Sequence, residues 1–132
     1  MLRVCHPDRP LVYACSGCST AAQMTNYLAL KLDRLGLAEM SCVAGVGGGI
    51  PHLVQIARSG RPILVLDGCH LACARQCLLN QGVTPDRHLV LTHLGAGARR
   101  YRDLDPQEAE DVAAQVVAAA AELTPDSAPL PS

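Results

Sequence analysis

Short apolar runs alternate along this chain with longer stretches in which apolar residues return every three or four positions. Leu11, Val12, Tyr13, Ala14 and Cys15 form the first run, closed by Ser16-Gly17, and predict a buried strand over 11–15. From Ser19 onward Ala22, Met24, Leu28, Leu32 and Leu35 recur at helical spacing, and Gly36 stands where a left-handed cap ends a helix. A second strand is predicted over 39–44, with Met40, Cys42 and Val43, running into the glycine-rich loop 45–49. Pro51 suits the first turn of a helix holding Leu53, Val54, Ile56 and Ala57, which stops at Ser59-Gly60.

The run 62–66, Pro-Ile-Leu-Val-Leu, is near-continuous in the way of parallel strands buried on both faces, and it ends in Asp67-Gly68-Cys69. A helix over 70–81 is predicted next, with Leu71, Leu78 and Leu79 as core candidates and Gly82 as cap. After a turn over 83–86, residues 88–92 read as a fourth strand. Asp105, Pro106 and Glu108 make an N-cap, a first helical position and a capping-box partner for a closing helix, whose stripe is Ala109, Val112, Ala113, Val116, Val117 and Ala120. Strands that alternate with helices predict an α/β chain of the three-layer Rossmann-like or flavodoxin-like kind. Its sheet would be parallel, of about four strands, with helices on both faces. The loops at the carboxyl ends of the strands would then form the binding crevice.

Composition narrows the function. At 132 residues, 49% of them hydrophobic and 17% charged, the chain has room for one domain over 1–123, and the Pro-rich polar stretch 124–132 is expected to be disordered. A net charge of −1 without a basic block gives no electrostatic basis for nucleic acid or an anionic membrane as partner. Absence of Phe and Trp removes the stacking platforms of single-strand binding. The first ten residues carry Arg3, Asp8 and Arg9 rather than a secretory apolar run, so a reducing cytoplasm is the expected home. There, seven cysteines point to metal binding or catalysis before disulfides.

Placed on the predicted scaffold, the cysteines collect. Cys15 ends the first strand, Cys18 opens the next helix, Cys42 lies late in the second strand, and Cys69 ends the third with Cys73 one helical turn on. Zinc takes four tetrahedral ligands, and short spacings such as Cys15-Ser16-Gly17-Cys18 deliver two from one turn. Cys69 and Cys73 supply a second pair, with Cys77 a turn deeper along the same helical face. Gly17, Gly47, Gly48 and Gly68 would let backbone N–H groups approach the sulfurs, a nest suited to an anionic metal–thiolate centre.

The segments 12–19, 40–48 and 64–69, which hold Cys15-Ser16-Gly17-Cys18, Ser41-Cys42 with its glycine run, and Asp67-Gly68-Cys69, closely resemble the zinc-binding proteins named for their Asp-Gly-Cys motif. The resemblance runs from Leu11 to Tyr101. It implies a small bacterial or archaeal protein with cysteine-bound zinc, the family's positions falling on Cys15, Cys18, Cys42, Cys69, Cys73 and Cys77. His70 departs from the Pro expected there.

Plainer readings stand beside these. Cys5 and Cys77 suit small buried hydrophobes, and alternation could turn Cys42 into the core. His52 reads as a capping or surface residue, and His6, His88 and His93 have no partner at ligand spacing. The run 45–49 lacks the last glycine of a dinucleotide fingerprint. Arg99, Arg100 and Arg102, with Asp103 and Asp105, read as a solvated turn. Cys69-x5-Arg75 has the spacing of a thiolate–oxyanion loop of the arsenate-reductase kind, although Leu71 is bulky for one and Gln76 replaces the usual hydroxyl. An iron–sulfur centre on the same thiolates is a third possibility. Asp67 is the one carboxylate placed near the site, and turn capping explains it equally. The reading favoured is a metal-binding protein rather than an enzyme, holding zinc through Cys15, Cys18, Cys69 and Cys73 with Cys42 as substitute; a protein partner is left open.

Overall fold

The computed structural model describes residues 7–124; the readings made for Cys5, His6 and the tail from 125 onward lie outside them. Four parallel strands make one sheet: β1 (Leu11–Ala14), β2 (Glu39–Met40), β3 (Ile63–Asp67) and β4 (Arg87–Val90), in the order β2-β1-β3-β4. β1 and β3 lie in register from Leu11 opposite Ile63 to Ala14 opposite Leu66, and both are buried throughout. The near-continuous apolar runs are thus the two central strands, as burial on both faces requires.

Alternation along these strands divides the core in two. Val12, Ala14, Leu64 and Leu66 face one side, where they meet α1 (Thr20–Arg34) and α5 (Pro106–Glu122) through Met24, Leu28, Leu32, Val112 and Val116. Leu11, Tyr13, Cys15, Ile63 and Val65 face the other, against α2 (Val43–Gly47), α3 (Pro51–Ala57) and α4 (Cys73–Asn80) through Val46, Ala57, Ala74 and Leu78. This is the three-layer α/β architecture. Strand order reverses between β1 and β3, so the loops after these two strands bound the crevice.

Several predicted elements shift. Only Glu39–Met40 pairs as strand; Cys42 instead caps α2, its Sγ accepting the Gly45 N–H at 3.3 Å. The glycine run is therefore helical as far as Gly47, with Gly48 as its C-cap, and Gly45 and Gly47 serve packing. A Cβ on Gly45 would lie 2.0 Å from Leu53 Cδ1, and one on Gly47 2.8 Å from Cys77 Sγ. The helix expected over 70–81 begins at Cys73, because Ala72 takes a left-handed conformation (φ 52°) and residues 69–72 form a turn closed by Ala72 N–H to Cys69 O at 3.1 Å. Leu71, expected in the core, is 68% exposed on that turn.

The fourth strand covers 87–90 and gives way to a 3-10 turn over Leu91–Leu94. Leu35 follows the last turn of α1 and is exposed. Asp105 caps α5 as expected, accepting from Gln107 N–H at 2.9 Å, but Glu108 accepts the Gly97 N–H at 2.6 Å and so holds a loop rather than its own cap. Ala119 is buried beside Ala120, while Val117 is only partly buried. No helix among the described residues is long and apolar enough to cross a membrane.

Candidate functional site

Cys15 leaves β1 on the face that carries α4, and Cys69 leaves β3 beside it, so the two thiols flank the point where strand order reverses. Between them opens a cleft of about 330 Å³ lined by Cys15, Cys18, Cys69 and Cys73, with Gly17, Gly68 and Asp67 at its floor and rim. Gly68 allows this close packing, since a Cβ there would stand 2.9 Å from Ala22 N and 3.0 Å from Ala21 C. Cys42, Cys77, Gly47 and Gly48 do not line the cleft. Cys42 and both glycines belong to the cap and body of α2, and Cys77 sits against Gly47.

The four lining thiols differ in exposure. Cys15 is buried, Cys69 partly so, and Cys18 and Cys73 are exposed. Burial pushes the Cys15 thiol above its ordinary value, and nearby Asp67 and Cys73 add to the rise. Its contacts with Thr25 Oγ1 (3.3 Å) and the Gly68 N–H (3.3 Å) oppose it. Burial, then Cys73 and Asp67, likewise raise Cys77. Among the described residues no three Cys, His, Asp or Glu side chains stand together as a ready-made metal cage.

Asp67 is the hinge pin of the site. It is 1% exposed, and its carboxylate accepts the Ala74 N–H at 2.9 Å and the Arg75 N–H at 3.2 Å, capping α4 from the end of β3. Its Oδ2 also lies 2.8 Å from His88 Nε2 on β4. The Asp-Gly-Cys run thus has three distinct tasks: a cap for the next helix, a close approach to α1, and a thiol in the cleft. Sequence reasoning missed His88, whose partner lies 21 residues away; strand register was the available signal, since His88 opposes Val65 and so lies on the face of Asp67.

A second wall of the cleft was also missed. The loop 97–104, whose Arg99, Arg100, Arg102 and Asp103 read with Asp105 as a solvated turn, is bound to the start of α1: Thr20 Oγ1 donates to Gly97 O at 2.8 Å, Thr20 N–H to Arg99 O at 2.8 Å, and Gln23 Oε1 accepts Leu104 N–H at 2.9 Å. Gln23 Nε2 joins Cys18 O (3.0 Å) and Arg102 O (2.8 Å). Ala98 and Arg100 are thereby brought to the cleft. The oxyanion loop imagined for Cys69-x5-Arg75 does not assemble: Asp67 already takes the first amide donors of α4, and Arg75 is exposed and outside the cleft. His52, His70 and His93 are exposed.

Fold and site together define a small α/β protein with a thiol-lined crevice at the switch point of a parallel sheet. The chain belongs to the DGC domain family, which it matches over residues 11–116. It is also 59% identical over 101 residues, 76% of this chain and 77% of the relative, to the "Anaerobic and virulence modulator AnvM" of Pseudomonas aeruginosa. No solved structure matches it.

Proposed function

We propose that this chain is a metal-binding protein whose cleft takes up one zinc ion through Cys15, Cys18, Cys69 and Cys73, and that it acts as a modulator rather than a catalyst. One observation carries the reading: thiols from two turns far apart in sequence line a single cleft at the switch point. The donor set suits the ion in kind, since four thiolates satisfy tetrahedral zinc. Gly68 already directs an N–H at the Cys15 sulfur, as outer-shell donors do around metal–thiolate centres. Because the sulfurs do not stand as a finished cage, uptake would draw the turn at Cys18 and the loop 69–72 inward, so that binding and ordering are coupled. The cleft carboxylate, Asp67, is committed to α4 and His88, which favours binding over acid–base chemistry. The printed name of the Pseudomonas relative, a modulator, supports the same role.

Elemental analysis of protein purified without added metal, with a visible spectrum, tests this directly. The expected result is colourless protein with stoichiometric zinc, lowered by Cys18→Ser and by Cys69→Ser. Unchanged zinc in both variants contradicts the site, and a brown chromophore transfers it to an iron–sulfur centre.

A further inference from the structure

The two cysteines of the first turn are unlike each other in a way that a metal site does not require. Cys18 is exposed; it lines the cleft and also a shallow outer depression with Tyr101, Arg102 and Asp103, so solvent reaches it from two sides. Cys15, three residues earlier, is 9% exposed and fixed, with its sulfur 3.3 Å from both Thr25 Oγ1 and the Gly68 N–H. Thr25 is itself buried, its hydroxyl within bonding distance of Cys15 O (3.0 Å) and Ala22 O (2.7 Å). The linking residues, Ser16 and Gly17, are both exposed. An accessible thiol and a sheltered thiol joined by a short exposed link are the two halves of a dithiol switch.

We propose that Cys15 and Cys18 form a reversible disulfide, in which Cys18 meets the oxidant and Cys15 resolves it. With hydrogen peroxide as oxidant, the Cys18 sulfur attacks one peroxide oxygen; the O–O bond breaks, a sulfenic acid forms, and water leaves. The Cys15 sulfur then attacks that of Cys18, the S–S bond forms as the S–O bond breaks, and the departing hydroxide takes the Cys15 proton as a second water. Two thiols lose two hydrogens and one peroxide becomes two waters. A dithiol reductant reverses the change. The pair on α4 is geometrically unsuited: Cys73 and Cys77 lie one turn apart, about 6 Å along its axis, with their Cβ bonds nearly parallel.

The switch itself requires no metal. Its consequence, that oxidation and zinc loading exclude each other, rests on the function proposed above, since a disulfide offers no thiolate.

The test uses the full chain, stripped of metal by a chelator, reduced, and treated with one equivalent of hydrogen peroxide. Intact mass and peptide mapping should show loss of two hydrogens and a Cys15–Cys18 link. Cys15→Ser should stop at a sulfenic acid on Cys18 that dimedone traps, and Cys18→Ser should leave Cys15 as a free thiol; circular dichroism of both variants checks their folding. A link between Cys69 and Cys73, or oxidation of Cys18→Ser as fast as the unaltered chain, overturns the proposal. Zinc added to reduced and to oxidised protein separates the two readings. Uptake by neither form, with the disulfide present, removes zinc alone; uptake by the reduced form without any disulfide removes the switch alone; equal uptake by both forms, with the disulfide present, removes their mutual exclusion.

Discussion

Asp67 shows how much one side chain can organise. A carboxylate 1% exposed would be costly to bury alone, but here three donors surround it: two amides at the start of α4 and the imidazole of His88. Asp67→Asn keeps the volume and loses acceptor capacity, turning an amide N–H towards groups that themselves donate. We expect it to cost about 2 kcal/mol, within the range for bonds to charged groups, measured as a lowered urea midpoint with unchanged slope. A midpoint equal to that of the unaltered protein would show that α4 does not depend on this cap. The same capping explains why Cys69 and Cys73 belong to different local structures, a turn and a helix, although their spacing of four suits a single helix.

At the scale of elements, α1 carries the clearest argument. Its buried stripe of Met24, Leu28 and Leu32 closes one face of the sheet, and Leu35, next in the apolar rhythm, falls past the last turn at 58% exposure, just before Gly36 reverses the chain at φ 76°. Leu32→Ala should cost about 2–5 kcal/mol as a core truncation, whereas Leu35→Ala should stay within about 0.5 kcal/mol; paired denaturation curves decide it. Helix boundaries follow from caps that pattern alone underdetermines. Ser19 and Asp105 are legible because their side chains cap locally, accepting from Ala22 N–H at 3.1 Å and Gln107 N–H at 2.9 Å. The start of α4 is not, because its cap is Asp67 at the end of β3, across the intervening turn and outside the spacing of a local N-cap. Cys42 is similar: a thiol accepting the Gly45 N–H ends what reads as strand, and the following glycines fit under Leu53 and Cys77.

For the molecule as a whole, burial holds three protons. Burial raises the Cys15 and Cys77 thiols above their ordinary 9.0 and the buried Tyr13 phenol above its ordinary 10.0. The folded state therefore binds these protons more tightly than the unfolded chain. Their contribution is complete below the ordinary values and is lost as pH climbs through the raised ones. Metal-free protein should accordingly show a falling thermal midpoint above about pH 9, and Cys15→Ser should soften the first part of that fall; a midpoint level from pH 8 to 11 would contradict it. The sequence by itself determined the α/β class, the two central strands, the amphipathic helices α1 and α5, and which turns carry thiols, because periodicity, local caps and strand-end position are properties of neighbouring residues. Only the tertiary structure decided that Cys15, Cys18, Cys69 and Cys73 share one cleft while Cys42 and Cys77 lie outside it, that Asp67 joins His88, and that Arg100 lines the rim. Those pairings depend on strand order, on the close approach that Gly68 permits, and on hydrogen bonds between segments tens of residues apart, none of which a local pattern encodes.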